Sequence, residues 1–243
     1  MTIENFSDAT QIQQLFDRIS PVYDRLNDGL SFGLHRVWKQ MTIAWSEARS
    51  GQVCLDLCCG SGDLALGLAD VVGRTGRVVG ADFSASLLAV ARQRSRDLGL
   101  SMEWVEADAL NLPFDDATFD AATMGYGLRN LTDISQGLRE LHRVLKPGAT
   151  VAILDMHRPK SPEMQAFQRW YLETFVVSTA RSLGLTEEYA YIQPSLDRFP
   201  TGDRQVTLAV EAGFDRAVHY SIAFGTMGVL VATKAPNPCE QTR

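Results

Sequence analysis

The run Val53-Cys54-Leu55-Asp56-Leu57-Cys58-Cys59-Gly60-Ser61-Gly62-Asp63-Leu64-Ala65 constrains the fold more than any other stretch of the chain. It starts as a buried strand and ends as the first turn of a helix. Between the two, Gly60-Ser61-Gly62 permits a tight turn and lets a ligand approach with no Cβ in the way. Strand and helix signals then alternate. Strands are predicted near 53–57, 77–82, 102–107, 119–124 and 149–155, and helices near 63–72, 84–98 and 133–145. Lys146-Pro147-Gly148 reads as a helix stop before the fifth strand. This order predicts an α/β fold with a mostly parallel, Rossmann-like sheet and helices on both faces. A helix near 204–212 follows, and His219 to Thr233 reads as two strands joined near Gly225. The expected whole is a seven-stranded sheet ending in an antiparallel hairpin, the architecture of class I methyltransferases rather than of a dehydrogenase half.

A glycine turn alone serves both dinucleotide and nucleoside cofactors, so the acids around it must decide. A dinucleotide would bring a pyrophosphate to the helix N-terminus, where carboxylates at Asp56 and Asp63 would repel it. S-adenosylmethionine brings an ammonium and a sulfonium, which favour nearby carboxylates. Asp82 ends the second strand about 20 residues past Gly62, where such sheets hold a ribose hydroxyl pair. Asp108 would end the third strand, in reach of an adenine amino group. Asp56, Gly60, Gly62, Asp82 and Asp108 are therefore candidate cofactor contacts, together with the adjoining Ser61, Phe83 and Ala109 and with Gly125 after the fourth strand.

Composition excludes other classes. A formal net charge of −6 in 243 residues disfavours nucleic acid as a partner. No apolar run is long enough to cross a bilayer, and the first residues lack the pattern of a signal peptide. Cys54, Cys58, Cys59 and Cys239 are too crowded for a disulfide framework or a zinc site, so no metal is expected and the thiols are read as buried and reduced. The expected location is cytoplasmic.

One domain is expected over 1–235, with a helical lid over 1–50, inserted lid helices over 161–200 and a disordered tail from 236. In the lid, Ile12, Leu15, Phe16 and Ile19 recur at helical spacing, and a second helix is predicted from about Leu34 to Ala48. In the insertion, Phe167, Trp170, Tyr171 and Phe175 form an aromatic face, either a lid packed on the core or a surface for lipid.

Four further strings carry a resemblance. They are Tyr23-Asp24-Arg25-Leu26-Asn27-Asp28, His35-Arg36-Val37-Trp38-Lys39, Gly125-Tyr126-Gly127-Leu128-Arg129-Asn130 and Arg143-Val144-Leu145-Lys146-Pro147-Gly148. With the glycine turn, they closely resemble the ubiquinone/menaquinone biosynthesis C-methyltransferases from about Tyr23 to Thr233. Ser61 and Asp155-Met156-His157 depart from the familiar members. The combination is most similar to the branch of oxygenic phototrophs acting on a phytylated naphthoquinone. The resemblance implies S-adenosylmethionine as cofactor, a prenylated naphthoquinol as acceptor, and transient contact with a membrane surface. Sister acceptors on the menaquinone or ubiquinone routes are the alternative, and a non-catalytic scaffold is a third reading.

In that light Arg129 would stabilise a phenolate, relay a proton through water, or simply brace its loop. Asp155 and His157 are the other candidates for proton transfer. Tyr23, His35, Arg36, Tyr126 and Asn130 are candidate substrate contacts.

Overall fold

The computed structural model describes residues 33–182 and 191–237. The expected first helix, Tyr23, Cys239 and the tail beyond 237 lie outside the described residues. The chain runs through α1 (Leu34–Trp45), β1 (Val53–Leu57), α2 (Asp63–Val72), β2 (Arg77–Asp82), α3 (Ala85–Asp97), β3 (Glu103–Glu106), β4 (Phe119–Gly125), α4 (Ile134–Val144) and β5 (Leu145–Met156). Then come α5 (Pro162–Tyr171), a π turn (Leu172–Val176), α6 (Val177–Ser182), α7 (Ile192–Arg198), α8 (Gly202–Glu211), β6 (Arg216–Ile222) and β7 (Met227–Thr233).

The sheet has seven strands in the order β3-β2-β1-β4-β5-β7-β6. β1 to β5 are parallel, and β7 runs antiparallel between β5 and β6. Alternation along the strands sends side chains to two cores. Leu55, Leu57, Ala122, Met124, Val151 and Ile153 pack against Leu138 and Leu141 of α4 and Leu208 and Ala209 of α8. Cys54, Val78 and Ala121 pack against Leu68 and Val72 of α2. On the β5–β7 side, Ala152, Leu154 and Val229 meet Trp38 and Trp45 of α1.

One expectation is corrected. Lys146-Pro147-Gly148 does not separate helix from strand; α4 ends at Val144 and β5 starts at once, with the triplet inside it. The register between β4 and β5 slips between Phe119 and Ala121, and Gly148 takes a φ of 79°. The triplet thus bends the strand's entry. The order of strands reverses between β1 and β4, and ligands in open α/β sheets bind at such a crevice, outside the carboxyl ends of the strands.

Candidate functional site

A cleft of about 750 Å³ opens at that crevice. Its walls come from the ends of four strands. β1 gives Leu57, Cys58 and Gly60; β2 gives Asp82 and Phe83, with Leu87 of α3; β3 gives Ala107 to Leu110; β4 gives Gly125 to Gly127, followed by Asn130 to Thr132.

The glycine turn is shaped by its own backbone. Cys58, Gly60 and Gly62 take φ values of 54°, 53° and 90°. Gly60 N–H donates to Asp82 Oδ2 at 2.8 Å, and Ser84 N–H donates to Asp82 Oδ1 at 2.9 Å. The carboxylate is thereby fixed between the ends of two strands and lines the cleft. Asp108 accepts from Leu110 N–H at 2.9 Å and lines it too. Gly62 serves packing: a Cβ there would lie 2.7 Å from the Trp104 ring.

Of the residues expected to hold a cofactor, Gly60, Asp82, Phe83, Asp108, Ala109 and Gly125 line the cleft. Asp56, Ser61 and Gly62 do not. Asp56 is buried beneath the turn, where it accepts from Thr123 Oγ1 at 2.8 Å and from Ala65 N–H at 2.9 Å. Burial pushes its carboxyl up to about 7, against the pull of those bonds. Ser61 gives its carbonyl and hydroxyl to Arg94. Asp63 is held by Lys39 at 2.5 Å and Arg94 at 2.6 Å. Burial alone would raise its carboxyl, but these two cations outweigh it and bring it down to about 2. Asp56 and Asp63 are thus spent inside the protein, and the charge argument resting on them moves to the cleft itself. Asp82 and Asp108 are the acids on its wall, and among the described lining residues there is no lysine or arginine.

The expected substrate contacts divide. Tyr126 and Asn130 line the cleft. Tyr126 holds a left-handed φ of 61°, unusual for a bulky residue, pinned by its N–H to Leu154 O and by the Asn130 amide on its carbonyl. Burial raises its phenol, so it stays neutral. His35 is buried on α1 and Arg36 is exposed there; neither lines the cleft. Tyr23 lies outside the described residues.

The three candidates for proton transfer stand behind the wall. The Arg129 guanidinium, 4% exposed, pairs with Asp155 at 3.3 Å, donates to Ser195 Oγ and lies 5.5 Å over the Tyr191 ring. Arg129 N–H adds a second bond to Asp155 at 2.9 Å, and Met156 N–H a third at 2.7 Å. Burial pushes the Asp155 carboxyl up, and Arg129 and those N–H groups pull it back. His157 is buried too; its Nε2 accepts Gly202 N–H at 3.0 Å, and its carbonyl accepts from Gln168. Its ring lies 4.6 Å from that of His219. Arg129 turns to Ser195 and Tyr191 of the insertion between β5 and α8, Asp155 to Arg129 and the Met156 N–H, and His157 to Gly202 of α8 and His219 of β6. None of the three lines the cleft, and the Arg129 guanidinium ties the insertion to Asp155 at the end of β5.

The residues that sequence reasoning missed are mostly apolar, among them Leu57, Leu110 and Leu131. Cys58 was visible inside the glycine motif but was read only as a buried thiol. It is half-buried on the cleft, and burial raises its thiol. Cys54 is raised likewise, to about 12.

A sequence profile described as the ubiE/COQ5 methyltransferase family matches residues 4–234. A protein of Nostoc punctiforme named 2-phytyl-1,4-naphtoquinone methyltransferase is 62% identical over 228 residues, covering 93% of this chain and 99% of that one. A protein of Arabidopsis thaliana named 2-phytyl-1,4-beta-naphthoquinone methyltransferase, chloroplastic, is 50% identical over 224 residues, covering 90% and 86%. The solved structure of a SAM-dependent methyltransferase from Aquifex aeolicus shares the fold, with a TM-score of 0.58 over 76% of this chain and 84% of that one at 20% identity.

Proposed function

This chain belongs to the ubiE/COQ5 methyltransferase family, and from that premise we propose that it methylates a ring carbon of reduced 2-phytyl-1,4-naphthoquinone, using S-adenosylmethionine, to yield phylloquinone. The observation that carries the cofactor assignment is the anionic cleft. Its wall holds Asp82 and Asp108 at successive strand ends, a glycine turn, and among the described residues no cation to meet a pyrophosphate. That donor set suits a nucleoside bearing positive charge. Asp82 is placed to accept the ribose hydroxyls, and Asp108 the adenine amino group. Phe83, Leu87 and Ala109 supply apolar walls for the base. The identity of the acceptor is supported by relatives at 50% and 62% identity across nearly the whole chain.

Bound S-adenosylmethionine supplies an electrophilic methyl group. An acceptor carbon must therefore be electron-rich, which a naphthoquinol is and the oxidised quinone is not. The chain's own contribution is positioning. Tyr126, fixed in its left-handed turn, and Asn130 form the wall on the β4 side, where the acceptor ring would lie. Holding reacting atoms in line is worth ~7–11 kcal/mol. Arg129 and Asp155 brace that wall from behind.

The test is to incubate the full chain with labelled S-adenosylmethionine and demethylphylloquinone reduced by dithionite. Label should enter the reduced acceptor and not the oxidised one. Equal labelling of the oxidised quinone under oxidising conditions would refute the mechanism. Preference for a reduced demethylmenaquinone over the phytylated quinol would refute the acceptor.

A further inference from the structure

The end of β4 is built around one strained residue. Gly125 and Gly127 flank Tyr126, and neither has room for a side chain. A Cβ on Gly125 would lie 2.9 Å from Leu64 Cδ1, and one on Gly127 2.6 Å from Cys58 Cβ. The strand end is thereby pressed against β1 and α2. Between the glycines Tyr126 keeps a φ of 61°, a region that a bulky side chain rarely enters. Its N–H donates to Leu154 O at 2.7 Å, and its carbonyl accepts from the Asn130 amide at 2.9 Å. Its ring packs against the cluster of Leu154, Met227 and Val229 on β5 and β7. Strain held this firmly on the wall of a cleft points to use.

The hydroxyl is what that scaffold leaves over. Tyr126 lines the cleft, yet among the described residues its hydroxyl has no hydrogen-bond partner. A phenol taken out of water ordinarily finds one. Burial and Asp155 push it up, Arg129 pulls it back and Asp63 adds to the rise, so it remains a neutral O–H donor across the working range of pH. The other polar side chains on the wall serve differently. Asp82 and Asp108 only accept when ionised. Asn130 spends its amide on the Tyr126 carbonyl. Thr132 stands beyond the turn Leu128–Asn130. The cleft thus has acids where it meets a nucleoside and an unspent donor at the end of β4.

The acceptor in the function proposed above, on which this inference rests, needs such a donor. A neutral quinol is a weak carbon nucleophile. Loss of a hydroxyl proton puts charge on the oxygen and on the ring carbon ortho to it. Between Asp82 and Asp108 that anion is disfavoured by like charge, unless a fixed donor meets it. We propose that the Tyr126 hydroxyl donates a hydrogen bond to the acceptor oxygen ortho to the carbon that is methylated. The quinol's hydroxyl proton leaves to water. The new C–C bond forms as the C–S bond of the methyl donor breaks, leaving a neutral thioether. The ring carbon then gives its own proton to water and the aromatic quinol is restored. Tyr126 keeps its proton throughout.

Tyr126→Phe tests this, because it removes the oxygen and keeps the ring and its packing. With the full chain and reduced demethylphylloquinone, kcat should fall about tenfold at pH 7. The alkaline limb of its pH profile should move up by about one pH unit, so that the two enzymes converge above the limb. Calorimetric affinity for S-adenosylmethionine should not change. Around the ring stand Asp155, Arg129, Asp63 with its partner Lys39, and His35 of α1. Asp56 and Cys58 of β1, with Asp82 and Asp108, lie beneath or across the cleft. All are common to both proteins, so the difference between the profiles isolates the hydroxyl. A readout without turnover uses 4-methoxy-1-naphthol, a redox-stable mimic of the quinol, with S-adenosylhomocysteine present. Its ionisation, followed by absorbance, should lie about one pH unit higher on the variant. If Tyr126→Phe loses its circular dichroism, 3-fluorotyrosine at position 126, of nearly the same shape and a stronger donor, should move the limb down instead. A loss of kcat equal at every pH overturns the donor role, as does a limb or a naphthol ionisation that neither change moves. Wild type that labels no reduced quinol refutes the function; labelling by wild type with an unmoved Tyr126→Phe profile refutes this inference alone.

Discussion

Asp82 and Asp155 each stand at the carboxyl end of a parallel strand in the same sheet, and each is 4% exposed. Asp82 is held by two backbone N–H groups from turns at its own edge, so its carboxylate stays on the cleft wall. Asp155 is claimed by a guanidinium, and that guanidinium reaches on to Ser195, 66 residues away. Equal burial therefore hides opposite duties. Backbone donors from neighbouring turns orient Asp82 on the cleft wall. A cation that is bonded on to another element makes Asp155 part of a structural joint. The cleft wall at β2 is built in the first way and the end of β5 in the second.

The largest way to break this comparison is to remove the cation. Arg129→Ala leaves the Asp155 carboxylate buried without its partner, which typically costs about 3–5 kcal/mol of stability. Urea unfolding should show that loss. The double variant Arg129→Met, Asp155→Leu should recover most of it, because the desolvation cost disappears with the charge. A stable Arg129→Ala enzyme that has lost turnover alone would return Arg129 to the substrate and end the contrast.

Asp82→Ala tests the other half. Calorimetry should show S-adenosylmethionine affinity weakened by ~1.5–3 kcal/mol, the usual worth of hydrogen bonds to a charged group. The Gly60 and Ser84 N–H groups also lose their acceptor, so the turn should loosen, read as faster amide exchange there. Unchanged affinity would remove Asp82 from the cofactor site.

The His157–His219 pair gives the seam between β5 and β6 an acid response of its own. Burial and the neighbouring His157 push His219 down to about 4, and burial lowers His157 as well. The unfolded chain takes up these protons near pH 6.5 and the folded chain only further down. Stability is therefore whole above that pH and falls as pH drops through the window toward 4. Arg158 and Lys160 nearby deepen the effect on His157, and Asp155 opposes it. After allowance for partial exposure, the loss is about 1 kcal/mol. Asp56, raised to about 7, titrates in the same window with the opposite sign, so the loss should appear as the difference in urea midpoint between wild type and His219→Gln, changing between pH 7 and 5.

Where the physics was local, the sequence was readable. β1, β2 and α2 fall at their predicted bounds, because buried parallel strands are apolar runs and the glycine turn punctuates them. The place of Asp82 and Asp108 on the cleft wall is legible because position in a βα unit dictates which way a strand end faces. What holds Arg129 and His157 has no spacing rule in the sequence, because Ser195 and Tyr191 come from the insertion and Gly202 from the start of α8. Leu57, Leu110 and Leu131 were missed because an apolar cleft wall has the same composition as core.

The smallest effect concerns Asp63, which the chain's pattern presents as an acid selecting the charge of a ligand and which the fold uses to tie α1 to the glycine turn. Lys39 comes from α1, Arg94 from α3, and Asp63 opens α2 between them. With its carboxyl brought down to about 2, the ionised form is favoured by folding. That contribution is complete above the unfolded value near 3.9 and is lost as pH falls toward 2. The group is 24% exposed, so solvent screening leaves about 1 kcal/mol at neutral pH. Asp63→Asn should therefore lower stability by that amount at pH 7 and by progressively less below pH 4. Its S-adenosylmethionine affinity should stay within about twofold, since neither oxygen lines the cleft. A tenfold loss of affinity with stability unchanged would mean that Asp63 reaches the ligand, and the division between acids that brace and acids that bind would have to be redrawn at α2.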